Sequence, residues 1–340
     1  MSIGSLPCLF GFCICALFPG ALSAIQTPQD LPAIDRAEQL LAAGKPDAAL
    51  DVLKTITRPE SEPRLNHFMG LAYYQKGDYA RAIDYFSSAI KQTPETSRQH
   101  RQGIEMLGMS HYLMGHLKDA IPYLEQVSTW APDNSETAYA LGVSYIQTHN
   151  IDRARQSFAR MFGVSAESAS AYLLNAQMMI RQQFEEFAEK ELRKALEIDP
   201  KLPQANFLLG EMAIYHSNLD LGIELLQKEI AVNPAFAMAY YRLGDAYTRQ
   251  LKWGQAIGPL QKSVWLNPFF SGPYILLGKA YLKKGDLTNA ESLLKHALKM
   301  DPNNFSGHHL LAQTLQQAGN ADEAKKEFEL ADRLRTSSDK

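Results

Sequence analysis

Apolar residues recur along the chain at helical spacing in runs of about 14 residues, and short polar or glycine-containing turns separate the runs. Lys76-Gly77-Asp78, Lys284-Gly285-Asp286 and Gly319-Asn320 are three of these turns. The runs come in pairs of similar length. The pattern therefore predicts an all-α chain built from consecutive helix–turn–helix hairpins.

Three sets of residues repeat in register through nine hairpins, which indicates one repeated structural unit. A Gly or Ala occupies the middle of each first helix, an Ala or Gly follows twelve residues later, and a Leu or Phe follows four residues after that. A residue without bulk lets the two helices of a hairpin approach closely, and the Leu or Phe fills the groove between them. The first set is Ala37, Gly70, Gly108, Gly142, Ala176, Gly210, Gly244, Gly278 and Ala312, of which the last seven are spaced by 34 residues.

Prolines end many of the units, because proline cannot continue a helix and pushes the preceding residue out of the helical region. The register slips by four residues around 92–101. Either the loop there is longer or the helix that contains Gly108 begins a turn early. The closing prolines are Pro94, Pro132, Pro200, Pro234, Pro268 and Pro302.

The repeated pattern resembles that of the tetratricopeptide-repeat (TPR) family. The resemblance covers about 30–338 and implies a right-handed superhelical solenoid of about nine repeats, starting near 30, 63, 101, 135, 169, 203, 237, 271 and 305. Glu229 and Ser263 replace the second Ala of the motif, and we expect them to loosen their interfaces. The repeat that matches best has Tyr274, Leu277, Gly278, Tyr281, Ala290, Leu294, Ala297 and Pro302 at the motif positions.

The resemblance implies that the first helices line a concave face, which is the surface where TPR proteins bind. In the N-terminal half the residues at the family's concave positions are apolar or aromatic, which favours an apolar peptide or helix as ligand. Packing between neighbouring repeats is the alternative role for these side chains. The predicted apolar partner-binding residues are Phe68, Leu71, Tyr74, Met106, Met109, Tyr112, Tyr139 and Val143.

In the C-terminal half the same positions are polar and locally basic, which favours anionic groups on the partner. A solvated charged face is the alternative. The Lys and Asn set with which TPR co-chaperones hold acidic chaperone tails is absent from these positions. The predicted polar partner-binding residues are Arg242, Asp245, Arg249, Lys279 and Lys283.

Composition narrows the classes of function. The formal net charge is −3, whereas nucleic-acid binding usually needs a strongly basic face. No Gly-rich phosphate loop, Gly-x-Ser-x-Gly motif or zinc-spaced Cys/His set occurs. His111 and His116 are five residues apart, a spacing that separates two imidazoles on one helix. We therefore predict no catalytic residue, cofactor, metal or small-molecule substrate.

The N-terminal segment predicts export. Residues 6–25 are almost wholly apolar, and Pro19-Gly20 provides the break that precedes cleavage of a signal peptide. We assign 1–24 as a signal peptide and 25–29 as a linker. An uncleaved membrane anchor is the alternative, since about 20 apolar residues can span a bilayer. The expected location is periplasmic, secreted or lumenal.

The sequence thus predicts a non-enzymatic scaffold or adaptor that binds a protein or peptide in the concave groove, with contact to a membrane only if 1–24 stays attached. Two alternatives are open. One is a periplasmic or lumenal co-chaperone that holds unfolded segments, and the other is an accessory subunit of an envelope assembly or secretion complex.

Overall fold

A computed structural model describes residues 33–56 and 64–338, and every regular element in these ranges is an α-helix. None of these helices is both long enough and apolar enough to cross a membrane. The predicted signal peptide and linker lie outside the described residues. The helices are α1 (Ala33–Ala42), α2 (Pro46–Leu53), α3 (Leu65–Gln75), α4 (Tyr79–Gln92), α5 (Arg98–Leu113), α6 (Leu117–Trp130), α7 (Ser135–Gln147), α8 (Ile151–Met161), α9 (Ala169–Arg181), α10 (Glu185–Ile198), α11 (Ala205–Tyr215), α12 (Leu219–Val232), α13 (Ala237–Arg249), α14 (Trp253–Leu266), α15 (Ser271–Lys283), α16 (Leu287–Met300), α17 (Phe305–Gln317) and α18 (Ala321–Ser338).

The chain divides into two compact units, and the boundary between Ser110 and His111 falls within α5. In unit 1, α1 packs on α2 and α3 packs on α4. In unit 2, α7 to α18 form six such pairs, and the second helix of each pair packs on the first helix of the next. This arrangement confirms the predicted all-α fold of repeated hairpins.

In the C-terminal part of unit 2, the first helices of successive hairpins also contact one another. Helix α13 lies against both α11 and α15, and α15 lies against α17. We call α11, α13, α15 and α17 the first-helix layer. Because its members touch, their side chains form one continuous surface.

The ends of the second helices follow the prolines as predicted. Each of α4, α6, α10, α12, α14 and α16 ends two residues before its proline. The structure also explains the register slip near 95. Helix α5 begins ten residues before Gly108, whereas α7 begins seven before Gly142, so three of the four extra residues lengthen α5 at its start. The fourth lengthens the preceding loop.

Close approach of two helices at the small residue determines the core of each hairpin. A Cβ built on Gly244 would lie 2.4 Å from Cγ of Leu260, and one built on Gly278 would lie 2.6 Å from Cγ of Leu294. Both leucines are fully buried. The leucine side chain occupies the space that a methyl group on the glycine would need.

Glu229 and Ser263 do not loosen their interfaces as expected, because each forms hydrogen bonds to the start of the first helix of its own hairpin. The buried carboxylate of Glu229 accepts hydrogen bonds from the backbone N–H of Gln204 (2.8 Å) and of Phe207 (3.3 Å), at the start of α11. Ser263 Oγ donates to the carbonyl of Ala237 (2.9 Å), the first residue of α13. Glu229 thus satisfies two N–H groups that the helix itself leaves unpaired.

A buried ion pair joins the second helices α8 and α10. Arg155 Nη1 lies 3.2 Å from Glu191 Oε1, and both residues are buried. Asn175 Nδ2 donates to Glu191 Oε2 at 2.7 Å, and the Arg155 guanidinium stacks over the Tyr172 ring at 4.1 Å. These partners satisfy charges that would be costly if buried alone.

The close approach at Gly244 yields a stability prediction. Gly244→Ala should lower the free energy of unfolding by about 1–3 kcal/mol, because the added methyl displaces Leu260. Gly254→Ala is the matched control, because Gly254 lies in α14 and an added Cβ would meet only the flexible end of the Lys284 side chain, at 3.8 Å. It should raise stability by about 0.5–1 kcal/mol through helix propensity. Urea unfolding followed by circular dichroism measures both changes, and a higher midpoint for Gly244→Ala contradicts the packing argument.

Glu229 yields a second prediction. Glu229→Ala restores the residue of the TPR motif, yet it should cost about 1–3 kcal/mol because two buried N–H groups lose their acceptor. Burial raises the pKa of Glu229 above its ordinary value of 4.5. The native state therefore binds the proton more tightly, so the stability that Glu229 contributes is complete below pH 4.5 and falls as pH rises through the raised pKa.

The pH effect is measured as the difference in unfolding free energy between the wild type and Glu229→Gln. This difference should shrink as pH increases from about 4.5. A difference that grows with pH would mean that hydrogen bonds to the carboxylate outweigh its burial.

Candidate partner-binding surface

The structure divides the eight predicted apolar residues into two groups. Phe68 and Val143 are buried, with 6% and 7% of their surface exposed, so neither is available to a partner. Their burial agrees with packing between neighbouring repeats, the alternative role of these apolar positions. Phe68 and Val143 are therefore not part of the candidate surface. The other six, Leu71, Tyr74, Met106, Met109, Tyr112 and Tyr139, are partly exposed.

In unit 1 the partly exposed residues lie on two first helices. Leu71 and Tyr74 belong to α3, and Met106 and Met109 belong to α5. The ring of Tyr74 meets that of Tyr79 edge-on at 5.5 Å, which holds it at the turn of the hairpin. Aromatic and methionine side chains give large or adaptable contact area to a ligand.

In unit 2 the two remaining tyrosines influence each other. Tyr112 is near the end of α5 and Tyr139 is on α7, where its ring lies edge-on to Phe158 at 6.3 Å. Burial, together with the neighbouring Tyr139, raises the pKa of Tyr112 to about 12. Its phenol stays protonated at neutral pH. The hydroxyl can therefore donate a hydrogen bond to a backbone carbonyl of a ligand.

Internal ion pairs reduce the basic character predicted for the C-terminal half. Arg242 Nε lies 2.7 Å from Glu211 Oε1, and this pair links α13 to α11. Arg249 pairs with Asp245 on its own helix at 2.9 Å. Both guanidinium groups are thus already bound to carboxylates. Glu211 lies at a concave position of the adjacent repeat, and a carboxylate at that place is the sequence signal for its pairing with Arg242.

Lys279 and Lys283 on α15 retain their charge for a partner. Among the residues that the structure describes, neither forms an ion pair. The ammonium group of Lys279 lies 5.9 Å from the centre of the Trp253 ring, a weak cation–π contact. The net positive charge of the first-helix layer is therefore concentrated on α15.

Family comparison agrees with the repeat architecture. Two family models, both described as tetratricopeptide repeat, match residues 34–96 and 207–268 and residues 111–178 and 281–336. Together they cover most of the chain. The chain belongs to the tetratricopeptide-repeat family.

Curated relatives match over short parts of longer proteins. Protein CTR9 homolog from Arabidopsis thaliana is 28% identical over 197 residues, which cover 55% of this chain and 17% of that protein. The Homo sapiens intraflagellar transport protein 88 homolog is 27% identical over 100 residues, 29% of this chain and 12% of that protein. The TPR repeat-containing protein YpiA of Bacillus subtilis (strain 168) is 24% identical, over 47% of this chain and 45% of YpiA.

Solved structures of TPR proteins are similar to parts of this TPR chain. MamA from Desulfovibrio magneticus RS-1 is 22% identical with a TM-score of 0.47, over 51% of this chain and 97% of the MamA chain. YrrB, described as a TPR protein with an unusual peptide-binding site, is 19% identical with a TM-score of 0.48, over 54% of this chain and 94% of YrrB. The likeness concerns the fold alone.

Proposed function

We propose that this TPR protein is a non-enzymatic scaffold that binds a protein or peptide partner on the exposed face of its first helices. The observation that carries the proposal is the first-helix layer of unit 2, where α11, α13, α15 and α17 touch in succession. A continuous surface of this kind gives an extended ligand many individually weak contacts. TPR proteins bind protein or peptide partners, and the repeats leave little of the described chain for any other domain.

The charge of the layer favours an acidic segment on the partner, positioned at α15. Lys279 and Lys283 carry the unpaired positive charge, whereas Arg242 and Arg249 already hold Glu211 and Asp245. A carboxylate beside α15 gains a new partner. A carboxylate beside α13 must instead compete with existing ion pairs. Electrostatic complementarity of this type governs the association rate and the choice of partner.

The tyrosines of unit 2 favour an apolar or aromatic segment as a second point of contact. Tyr112 and Tyr139 are partly exposed, and each combines a broad apolar ring with one hydroxyl. Such residues are common among those that dominate binding energy at protein interfaces. The proposed ligand therefore has both apolar and acidic side chains, and no nucleic acid or small-molecule substrate is required.

Export is part of the proposal, because residues 6–25 have the composition of a signal peptide. Export would place the binding surface in a periplasmic, extracellular or lumenal compartment. Sequencing the N-terminus of the mature protein from its native host tests this point. A new N-terminus near residue 24 supports export by cleavage, whereas an N-terminus at Met1 supports an uncleaved anchor or no export.

Removal of the unpaired positive charge on α15 should cause a salt-dependent loss of binding. The double variant with Lys279→Glu and Lys283→Glu should reduce recovery of the partner at least about tenfold in quantitative affinity purification from the native host. High salt should reduce the difference in recovery between the wild type and this variant. Lys299→Glu with Lys326→Glu changes the net charge equally on the second helices α16 and α18 and should leave recovery unchanged. Equal loss in both double variants would contradict a ligand on the first-helix layer.

Removal of the two tyrosine rings should cause a loss of partner binding that does not depend on salt. Tyr112→Ala with Tyr139→Ala should weaken partner binding at least about tenfold, the range expected for central aromatic contacts. Trp265→Ala is the control, because Trp265 is 72% exposed on the second helix α14. Circular dichroism verifies that each variant is folded. Unchanged affinity in the tyrosine variant, or an equal loss in the tryptophan variant, removes Tyr112 and Tyr139 from the binding surface.

A further inference from the structure

The turn between α5 and α6 brings two histidines and an aspartate together. His111, His116 and Asp119 each offer one metal-binding atom, and the three atoms lie within 4.8 Å of one another. All three residues belong to unit 2. This grouping contradicts the expectation that histidines five residues apart are separated.

The expectation was wrong because the helix does not continue through both residues. Helix α5 ends at Leu113, and Gly115 adopts a left-handed conformation with φ of 76°. The backbone N–H of His116 then donates to the carbonyl of His111 at 2.9 Å. This bond closes a six-residue turn of the Schellman type, which places its first and last residues side by side.

Asp119 joins the pair through the start of the next helix. His116 is the N-cap residue of α6, and Asp119 is the third residue of that helix. The backbone N–H of Asp119 donates to the His116 carbonyl at 3.0 Å. A side chain at this third position is placed to reach back toward the N-cap residue, as in a capping box. Two standard backbone motifs therefore hold the three residues at fixed places.

Comparison with the other hairpins indicates that this chemistry is specific to one turn. Four other hairpins carry the tyrosine of the TPR motif at the place of His111, and five carry Asp or Asn at the place of His116. Asp and Asn cap the second helix there, as Asp78, Asn218 and Asp286 do, but His116 forms no such hydrogen bond. His116 therefore lacks the stabilising cap that Asp or Asn provides there. The tyrosines at the place of His111 are Tyr73, Tyr145, Tyr247 and Tyr281, and the Asp and Asn residues at the place of His116 are Asp78, Asn150, Asn218, Asp286 and Asn320.

The surroundings of His111 leave one ring nitrogen without a protein partner. The His111 ring is stacked on the Tyr123 ring, with centroids 5.8 Å apart and planes within 4° of parallel, which fixes its orientation. Its Nδ1 is buried and has no hydrogen-bond partner in the part of the chain that the structure describes. A buried nitrogen of this kind is costly unless something binds it. His116 and Asp119 are exposed, so their side chains can rotate toward a shared ion.

We propose that His111, His116 and Asp119 bind one divalent transition-metal ion of the zinc class. Two imidazoles and one carboxylate suit zinc, copper or nickel, whereas calcium and magnesium prefer all-oxygen sites. Three protein ligands leave a fourth position of a tetrahedral ion open to water or to a side chain of a bound partner. The inference does not depend on the proposed partner-binding function.

The test is a Zn²⁺ titration of the full chain by isothermal calorimetry, with the thiols of Cys8, Cys13 and Cys15 alkylated in every sample so that they bind no metal. The wild type should bind one Zn²⁺. The affinity for this ion should be at least about tenfold lower in His111→Tyr and in His116→Asn. These replacements are the residues found at the same places in other hairpins. His116→Asn can also restore the missing helix cap, so its loss of binding is not a loss of folding.

His149→Asn is the matched control, because His149 is an exposed histidine at the α7–α8 turn of the next hairpin. It should bind Zn²⁺ as the wild type does, and Mg²⁺ should give no comparable binding. Zn²⁺ should also raise the melting temperature of the wild type and of His149→Asn but not of His116→Asn. Equal Zn²⁺ affinity in the wild type, His111→Tyr and His116→Asn would overturn the proposal, as would an equal loss in His149→Asn.

Discussion

The structure depends on the close approach of two helices at one small residue in each hairpin. Gly244 against Leu260 is typical, because the leucine fills the volume that any larger residue would need. That contact fixes the spacing and angle of the two helices. A hairpin packed in this way still has unburied apolar sides, which only a neighbouring hairpin can cover. Repetition of one contact therefore produces both the stacking and the continuous first-helix layer.

Much of this arrangement can be predicted from the sequence, because the contact involves residues about 16 apart whose identities repeat. The helix ends before the prolines are likewise determined by local chemistry. The roles of Glu229, Arg242 and Arg249 could not be predicted from the motif alone. Glu229 and Arg242 bond to groups on another helix, about 20 to 30 residues away in the sequence. Periodicity identifies a residue's face but does not identify the atom that it will contact.

The cluster at the α5–α6 turn illustrates a second limit of sequence patterns. Helical periodicity predicts which residues share a face only while the helix continues. At its end the chain folds back, and His111 and His116 become neighbours because a glycine permits the left-handed turn between them. Individual chemistry in a repeat protein is most easily introduced at such turns and on exposed faces, because neither contributes to the shared core. The partner surface and the histidine cluster both lie outside the Gly–Leu contacts.

The central claim is that the first helices form the surface that binds a partner protein, and site-specific photo-crosslinking in the native host tests it most directly. A photoreactive amino acid would replace Lys279 on the first helix α15 in one strain and Lys299 on the second helix α16 in another. The account predicts a discrete crosslinked product from position 279, containing the same partner in repeated experiments, and none from position 299. Crosslinking of that partner from position 299 alone would contradict it.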